Sequence, residues 1–316
     1  LCSEITLPTN EDRTFVCCLS SLNLEKFEEW KDTQIVEDLI RFLDNVLQSF
    51  IDNAPLSLHK AVHSAKKERA LGMGTLGWHV YLQSKGIAFE SGGFNSAIQH
   101  VHKLNSLIAE RAEVSSRQLA NERGEPDDML GTGLRNSRVT AIAPNANSAD
   151  LLDTSPSVEP YFRNIFLKST RAGNFRVKNQ HLKALLQFYE KDTEEVWDEI
   201  LAANGSVKGL TFLSEHEKLV FATAMELDMH WVIEQADARA KALGKGFQSQ
   251  SLNVFFPFGS SRKYVNSVHM KFLKSESVTT MYYYRSEREG VSDNAKAIER
   301  KALVDWSSED CVSCSG

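Results

Sequence analysis

Apolar residues recur at helical spacing along most of this chain. The clearest run lies between residues 35 and 51, where charged and polar residues separate the apolar ones. Its apolar members are Ile35, Val36, Leu39, Ile40, Phe42, Leu43, Val46, Leu47, Phe50 and Ile51. The same spacing predicts helices over about 58–85, 94–121, 179–203, 215–243 and 261–274.

Short runs of β-branched, aromatic and aliphatic residues predict strands between these helices. They cover residues 14–19, 138–143, 158–168, 250–256 and 278–284. Strands that alternate with long helices indicate an α/β architecture with parallel strand pairs. From about Ser286 the chain is polar, charged and rich in Ser, and we predict a mobile tail there.

Composition narrows the class of protein. The 316 residues carry 36 Lys and Arg against 42 Asp and Glu, a formal charge of −6. This acidic balance gives no general attraction to phosphate backbones, so nucleic acid is not expected as a main partner. No apolar run approaches the roughly 20 residues of a membrane helix, and no membrane association is expected. The chain begins without Met, which we interpret as a fragment or one piece of a split protein.

The five cysteines lie at the two ends of the chain: Cys2, Cys17, Cys18, Cys311 and Cys314. An odd number does not build a disulfide framework, and residues 19–310 contain none. This placement indicates a reduced, cytoplasmic protein whose thiols perform chemistry.

Cys2 and Glu4 form the first candidate site. In an extended loop, residues two apart point to the same side, so one substrate can meet both a reactive sulfur and a proton acceptor. The alternative is a buried Cys beside a surface Glu. Cys17 lies in an apolar stretch, where a buried cysteine is usually inert.

Two further motifs have both a chemical and a structural interpretation. The terminal Cys311 and Cys314 form a CxxC pair, which suits thiol–disulfide exchange on a flexible arm; half a metal site and a chance pair are the alternatives. Tyr282 and Tyr283, followed by Tyr284, form either an aromatic strand or a path for redox equivalents.

The segment Pro144–Ser148 follows a predicted strand and begins a predicted short helix. Its members are Pro144, Asn145, Ala146, Asn147 and Ser148. Free N–H groups and the helix dipole make such a turn a ready anion site. The alternative is that Asn147 or Ser148 only caps the helix.

Two motifs are expected to be decoys. The run Gly72–Gly77 fits GxGxxG, but a predicted helix precedes it where the dinucleotide fingerprint needs a strand. Close helix packing at small residues is the better interpretation. His59 and His63 have metal-ligand spacing, but Lys60 stands where HExxH has Glu, so surface or capping roles are expected.

Taken together and in this order, the motifs resemble the large catalytic subunit of class I ribonucleotide reductase. The matching segments are Leu1–Thr9, Cys17–Leu24, Arg138–Ser148, Val158–Pro160, Gln248–Asn253, Tyr282–Tyr283 and the pair Cys311 and Cys314. The resemblance implies the C-terminal half of a ten-stranded α/β barrel over residues 1–285, with a finger loop near 1–13. Residues 286–316 would be a flexible redox tail.

The resemblance also implies roles for the candidate residues. Cys2 would be the thiyl radical that takes the ribose 3′-hydrogen, and Glu4 the general base at the 3′-hydroxyl. Cys17 would be one of two cysteines that supply the reducing electrons. Tyr282 and Tyr283 would relay the oxidising equivalent to Cys2.

The remaining motifs would bind substrate and restore the enzyme. Cys311 and Cys314 would reduce the resulting disulfide and be re-reduced by thioredoxin or glutaredoxin. The diphosphate of a ribonucleoside diphosphate would lie at the helix start near Asn147 and Ser148.

No cofactor is expected in this chain. The resemblance places a metal-linked radical cofactor in a small partner subunit and allosteric nucleotides in an N-terminal part of the large subunit. The second reducing cysteine has no counterpart here, and the family's Asn before the Leu-Cys pair is not included. We therefore expect activity only together with that N-terminal part.

A catalytically inactive fragment that docks the small subunit or thioredoxin is the alternative function. Binding alone does not need Cys2, Glu4, Cys17 and the tyrosine pair, which favours the enzyme.

Overall fold

The computed structural model describes residues 3–170 and 173–286. The predicted residues Cys2, Cys311 and Cys314 lie outside these ranges, as does the tail predicted over 286–316 except for its first residue, Ser286, which ends a strand.

Helices and strands alternate through the described residues. The strands are β1 (Cys18–Asn23), β2 (Leu71–Leu76), β3 (Thr140–Ile142), β4 (Ile165–Thr170), β5 (Gly173–Lys178), β6 (Phe247–Gln250), β7 (Val254–Phe256) and β8 (Tyr284–Ser286). The α-helices are α1 (Phe27–Trp30), α2 (Ile35–Asn53), α3 (His59–Glu68), α4 (Trp78–Ser84), α5 (Ala97–Arg123), α6 (Ala146–Leu152), α7 (Gln180–Phe188), α8 (Glu194–Ala202), α9 (Glu215–Val220), α10 (Met229–Leu243) and α11 (Arg262–Lys274).

The main sheet contains four parallel strands in the order β1-β2-β3-β6. Strands β1 and β2 pair along their whole length, from Cys18 opposite Leu71 to Asn23 opposite Leu76. At least one helix separates each strand of this sheet from the next strand of the same sheet, as parallel pairing requires. The predicted α/β architecture with parallel pairs is confirmed.

Helix α2 shows how the apolar pattern becomes packing. Its buried stripe is Val36, Ile40, Leu43, Leu47 and Ile51, each less than a tenth exposed. These positions repeat every three or four residues and therefore lie on one face of the helix. The face packs on α5, β1 and β2. The predicted helix over the 35–51 run is confirmed.

A buried ionic cluster joins the outer elements to this core. The carboxylate of Asp44 on α2 accepts from Arg69 Nε at 2.8 Å, from Arg123 Nη1 at 2.7 Å and from Arg135 Nε at 3.0 Å. Burial by itself would raise the pKa of Asp44, but Arg69 and Arg135 more than offset it and hold that pKa below its usual range. Asp44 thereby ties α2 to the start of β2 and the end of α5.

The predicted helix over 58–85 is wrong in its middle part. Residues 71–76 form β2, and every one of them is buried. Gly72 and Gly74 lie inside this strand. Glycine is needed at both positions, because a side chain there would collide with atoms of the neighbouring strands. The glycines of the GxGxxG decoy thus serve close strand approach rather than the predicted helix packing.

The predicted strand boundaries also move. The strand predicted at 14–19 forms at 18–23, and of the run 278–284 only Tyr284 enters a strand, β8. The run 250–256 divides into the end of β6 and β7. Short apolar runs are compatible with both strand and buried loop, and the neighbouring strand decides between them.

A smaller unit follows β3. Strands β4 and β5 form an antiparallel hairpin, and helices α7, α8 and α9 contribute to a separate apolar cluster around the fully buried Trp197. Among the described residues, no helix is long and apolar enough to cross a membrane.

Replacing Gly74 by Ala is expected to lower the free energy of unfolding by about 1–3 kcal/mol, the usual cost of overpacking. A Cβ at this position would lie 2.4 Å from the backbone oxygen of Ala141 on β3. Urea unfolding followed by circular dichroism measures the change.

Gly209→Ala is the matched control, because its Cβ would meet nothing closer than 3.5 Å. We expect a change within about 0.5 kcal/mol for it. Equal losses in the two variants would contradict the close approach of β2 and β3.

Candidate active site

A polar segment, residues 248–253, runs from β6 to β7 through the interior of the fold. Four polar side chains of this segment, those of Gln248, Ser249, Gln250 and Ser251, are each at most 6% exposed, and Asn253 is 3% exposed. Buried polar groups need hydrogen-bond partners. Partners of this segment include groups of the first loop, Cys17 just before β1, helix α10 and the residues before β8.

Glu4 in the first loop is fully buried against this polar segment. The Ser251 hydroxyl donates to Glu4 Oε2, and the Ser3 N–H donates to Ser251 Oγ at 3.0 Å. Among the described residues, none donates to Glu4 Oε1. One carboxylate oxygen is therefore held in place, and the other is available as an acceptor inside a water-poor site.

Cys17 meets the same segment at the entrance to β1. Gln248 Nε2 donates to Cys17 Sγ at 3.1 Å and to Leu71 O at 3.0 Å, while Gln248 Oε1 accepts the Thr6 N–H at 3.3 Å. One amide thus joins the first loop, the thiol and β2. Gly72 provides space for the sulfur, since a Cβ there would lie 2.8 Å from Sγ.

The Cys17 thiol is held protonated. Burial raises its pKa to about 12, the Gln248 hydrogen bond lowers it, and the nearby Cys18, Glu4 and Glu68 raise it further. Such a thiol is a poor nucleophile at neutral pH but a suitable donor of a hydrogen atom or of a proton with an electron.

The tyrosine pair is fixed to the far end of the polar segment. The Tyr282 N–H donates to Leu252 O at 2.8 Å, and the Tyr283 N–H donates to Asn253 Oδ1 at 3.1 Å. The two rings are adjacent, with centroids 3.9 Å apart. Just before them, Thr280 Oγ1 donates to Ser3 O at 2.8 Å, so the tyrosine segment also touches the first loop.

The segment Pro144–Ser148 lies at the carboxyl ends of β1, β2 and β3. Asn145 adopts a left-handed φ of 56°, and its Nδ2 donates to Ser21 Oγ and Ala143 O, each at 3.0 Å. Its side chain therefore fastens the strand ends and makes no cap bond to α6.

Helix α6 begins directly after Asn145. Its first hydrogen bond runs from the Ala149 N–H to Asn145 O. The N–H groups of the first helical turn therefore point out of the end of the helix. Ala146, Asn147 and Ser148 are exposed there. Asn145 occupies the cap position, which contradicts the alternative that Asn147 or Ser148 is the cap.

The structure thus brings most of the predicted residues into one region. Glu4, Cys17 and the tyrosine pair each contact the polar segment. The Ser251 N–H donates to Ile142 O at 2.9 Å, which connects that segment to β3, the strand before Asn145.

Within residues 3–170 and 173–286, no group of three or more His, Cys, Asp or Glu side chains could hold a metal ion. His59 is exposed, with its Nδ1 3.2 Å from Leu56 O.

Sequence reasoning did not assign the residues that hold the site together. These are Gln248, Ser251, Asn253, Thr280 and Glu159, the last of which accepts from Asn253 Nδ2 at 2.6 Å. A signal was present: residues 248–251 and 253 are polar, and most of them fall within the strand predicted over 250–256. Polar residues in such a strand indicate that the interior itself carries out a function.

The four parallel strands and the helices between them, with the candidate site at the strands, define an α/β protein. The chain matches the family model described as ribonucleotide reductase, barrel domain, over residues 1–131 and 125–283. It belongs to this family.

Named relatives agree. The ribonucleoside-diphosphate reductase large subunit of Invertebrate iridescent virus 3 is 42% identical over 322 residues, which cover 100% of this chain and 50% of that protein. The large subunit of Invertebrate iridescent virus 6 is 42% identical over 297 residues, covering 91% of this chain and 30% of that protein.

A solved structure gives the same assignment. The alpha subunit of class Id ribonucleotide reductase from Actinobacillus ureae aligns with a TM-score of 0.82 at 39% identity, covering 91% of this chain and 52% of that one. The chain spans about half or less of the length of these three relatives.

Alkylation of Cys17 by iodoacetamide at pH 8 is expected to be about 1,000-fold slower in the folded chain than in urea, because the unfolded thiol has a pKa near 8.5. Since the folded pKa is about 12, the rate should keep rising by about tenfold per pH unit up to pH 10. Mass spectrometry of the labelled peptide separates Cys17 from Cys18. A rate that levels off below pH 9 would contradict the half-buried, protonated thiol.

Proposed function

We propose that this chain is the catalytic barrel part of a class I ribonucleoside-diphosphate reductase large subunit. It reduces ribonucleoside diphosphates to 2′-deoxyribonucleoside diphosphates by thiyl-radical chemistry. The observation that carries the proposal is the state of Glu4: the carboxylate is fully buried, one oxygen is held by Ser251, and the other is available two residues after Cys2.

The reaction needs two electrons, a general base and a hydrogen-abstracting sulfur. Cys2 as a thiyl radical takes the 3′-hydrogen and returns it to the same carbon at the end of the reaction, while Glu4 accepts the proton of the 3′-hydroxyl and later gives it back. The 2′-hydroxyl leaves as water. Of the two hydrogens of the reducing thiols, one leaves in this water and the other goes to C2′. Cys17 and a second cysteine outside this chain supply the electrons and end as a disulfide. A thiyl radical survives only where water and other reactants are excluded, and the burial of Glu4 supports such a site.

The substrate diphosphate is placed at the start of α6. Backbone N–H groups at a helix N-terminus bind phosphate without a metal ion. The exposure of Ala146, Asn147 and Ser148 supports this position, and Asn145 acts by shaping the turn rather than by contacting substrate. Binding there would hold the ribose near the first loop, at near-attack distance from Cys2.

Tyr282 and Tyr283 form the radical path to Cys2. The adjacency of their rings supports transfer between them, and the Thr280–Ser3 hydrogen bond supports a short route from this pair to the first loop. The oxidising equivalent comes from a metal-linked radical in a small partner subunit.

Other parts of the assembly complete the cycle. Cys311 and Cys314 reduce the disulfide and are re-reduced by thioredoxin or glutaredoxin. An N-terminal part of the large subunit supplies the second reducing cysteine and the allosteric nucleotide sites. Because the cycle depends on free thiols, we assign it to the reducing cytoplasm.

Replacing Glu4 by Gln is expected to lower turnover by about 100-fold or more, the usual loss of a general base. The amide still accepts from Ser251 but cannot take the substrate proton. Deoxynucleotide formation is measured in the large subunit containing this chain, reconstituted with the small subunit and thioredoxin.

Glu11→Gln is the matched control, because Glu11 is an exposed carboxylate in the same loop. It should leave turnover within about twofold, since surface changes of this kind have small effects. Turnover that is unchanged by Glu4→Gln would refute the base assignment.

Replacing Cys2 by Ser distinguishes the proposed enzyme from the alternative function, a catalytically inactive docking module. We expect turnover to disappear while binding of the small subunit, measured by surface plasmon resonance, is retained. A hydroxyl cannot form the hydrogen-abstracting radical under these conditions, because its O–H bond is much stronger than an S–H bond. Full turnover with Ser at position 2 would favour the docking module and overturn the radical mechanism.

A further inference from the structure

Glu159 is an isolated buried acid behind the tyrosine pair. It is 6% exposed and lies in the loop between α6 and β4. None of the roles proposed above uses it. Its carboxyl accepts from Asn253 Nδ2 at 2.6 Å. Any effect of this carboxyl on its surroundings is therefore expected to pass through Asn253.

Asn253 connects this acid to Tyr283. The amide nitrogen of its side chain donates to Glu159, and the amide oxygen accepts the Tyr283 N–H at 3.1 Å. The Val254 N–H then donates to Tyr283 O at 3.0 Å, so both backbone groups of Tyr283 are held by this corner of the fold. A change at the carboxyl is transmitted to Tyr283 through one side chain.

Arg285 gives a second connection. Its guanidinium carbon lies 5.4 Å from the centroid of the Tyr283 ring, at the distance of a cation–π contact. Arg285 is exposed, and its charge also acts on the Glu159 carboxyl. The same cation is therefore shared between the buried acid and the aromatic ring.

The charge of Glu159 changes within the physiological range. Burial raises its pKa to about 7, while Arg285 and the Asn253 hydrogen bond lower it. Below pH 7 the carboxyl is mostly neutral; above pH 7 it is an anion that attracts Arg285 and accepts more strongly from Asn253.

Two histidines lie near this corner. His269 of α11 has its ring centroid 4.6 Å from that of Tyr284, and His79 of α4 accepts the Tyr161 N–H at 2.8 Å. Burial lowers the pKa of His79 to about 3, so its charge does not change near pH 7.

We propose that Glu159 is a positioning residue for Tyr283, and that its protonation state sets the surroundings of the Tyr283 ring through Asn253 and Arg285. The consequence for radical transfer rests on the proposed function. The positioning itself does not, because it concerns only contacts within this chain. The two can be tested separately.

The test places 4-fluorophenylalanine at position 283 of the complete large subunit, since this residue has no ionisable group of its own. We expect its ¹⁹F resonance to shift with pH with a midpoint near 7. The step should vanish in Glu159→Gln, whose amide still accepts from Asn253 but does not titrate. Arg285→Gln, at an exposed position, should move the midpoint upward because a nearby cation is removed.

Two controls identify the titrating group. Glu90→Gln removes another carboxyl whose pKa burial raises, one that accepts the Asp228 N–H, and His269→Gln removes the neighbouring imidazole. Both should leave the step unchanged. A step that persists in Glu159→Gln, or that disappears in His269→Gln, would overturn the proposal. So would a resonance that does not titrate in the unsubstituted protein.

Turnover gives the functional half of the test. The protein for this measurement has Tyr at position 283. Glu159→Gln should remove the change of turnover with pH between pH 6 and 8. Glu159→Ala should lower turnover by about tenfold at every pH, because Asn253 loses its hydrogen-bond acceptor. Rescue of the Ala loss by Gln supports positioning. A ¹⁹F step without any deoxynucleotide formation would refute the proposed function and leave the positioning role intact.

Discussion

The candidate site depends on one constraint: a polar segment crosses the interior of the fold and must find hydrogen-bond partners there. An unsatisfied buried polar group costs about 1–3 kcal/mol. Gln248, Ser251 and Asn253 avoid this cost by bonding Cys17, Glu4 and the backbone of Tyr283, respectively. The same bonds that satisfy the segment also bring the chemically important groups together. Stability and site assembly therefore arise from the same contacts.

Burial has different consequences for the ionisable groups in this region. It keeps Cys17 a thiol and raises the pKa of Glu159 to about 7, because removal from water disfavours the charged form. Glu4 is fully buried and has a hydroxyl donor at one oxygen. For Cys17 and Glu159 the neighbouring groups also act: the Gln248 hydrogen bond lowers the pKa of the thiol, and Arg285 lowers that of the carboxyl.

Helices were the most predictable part of the fold, and short strands the least. The run at 35–51 was correct because a stripe of apolar residues on one face has few alternatives to a packed helix. Residues 71–76 were misassigned because Gly72 and Gly74 carry no side chain to mark a period, and their strand exists only because β1 and β3 approach it closely. Residues 278–283 are β-prone, but the neighbouring polar segment holds them through side chains as well as backbone groups.

The sequence by itself determined the alternation of helices and strands, the placement of the cysteines at the two ends of the chain, and the motifs that indicated the family. It also contained Glu4, Cys17 and the tyrosine pair as candidates. Only the tertiary structure decided that Gln248, Ser251 and Asn253 connect them, that Asn145 shapes its turn, and that Glu159 lies behind Tyr283. Local patterns record which face of an element is buried, whereas the bonds of Gln248, Ser251 and Asn253 to Cys17, Glu4 and Glu159 join residues more than 90 positions apart.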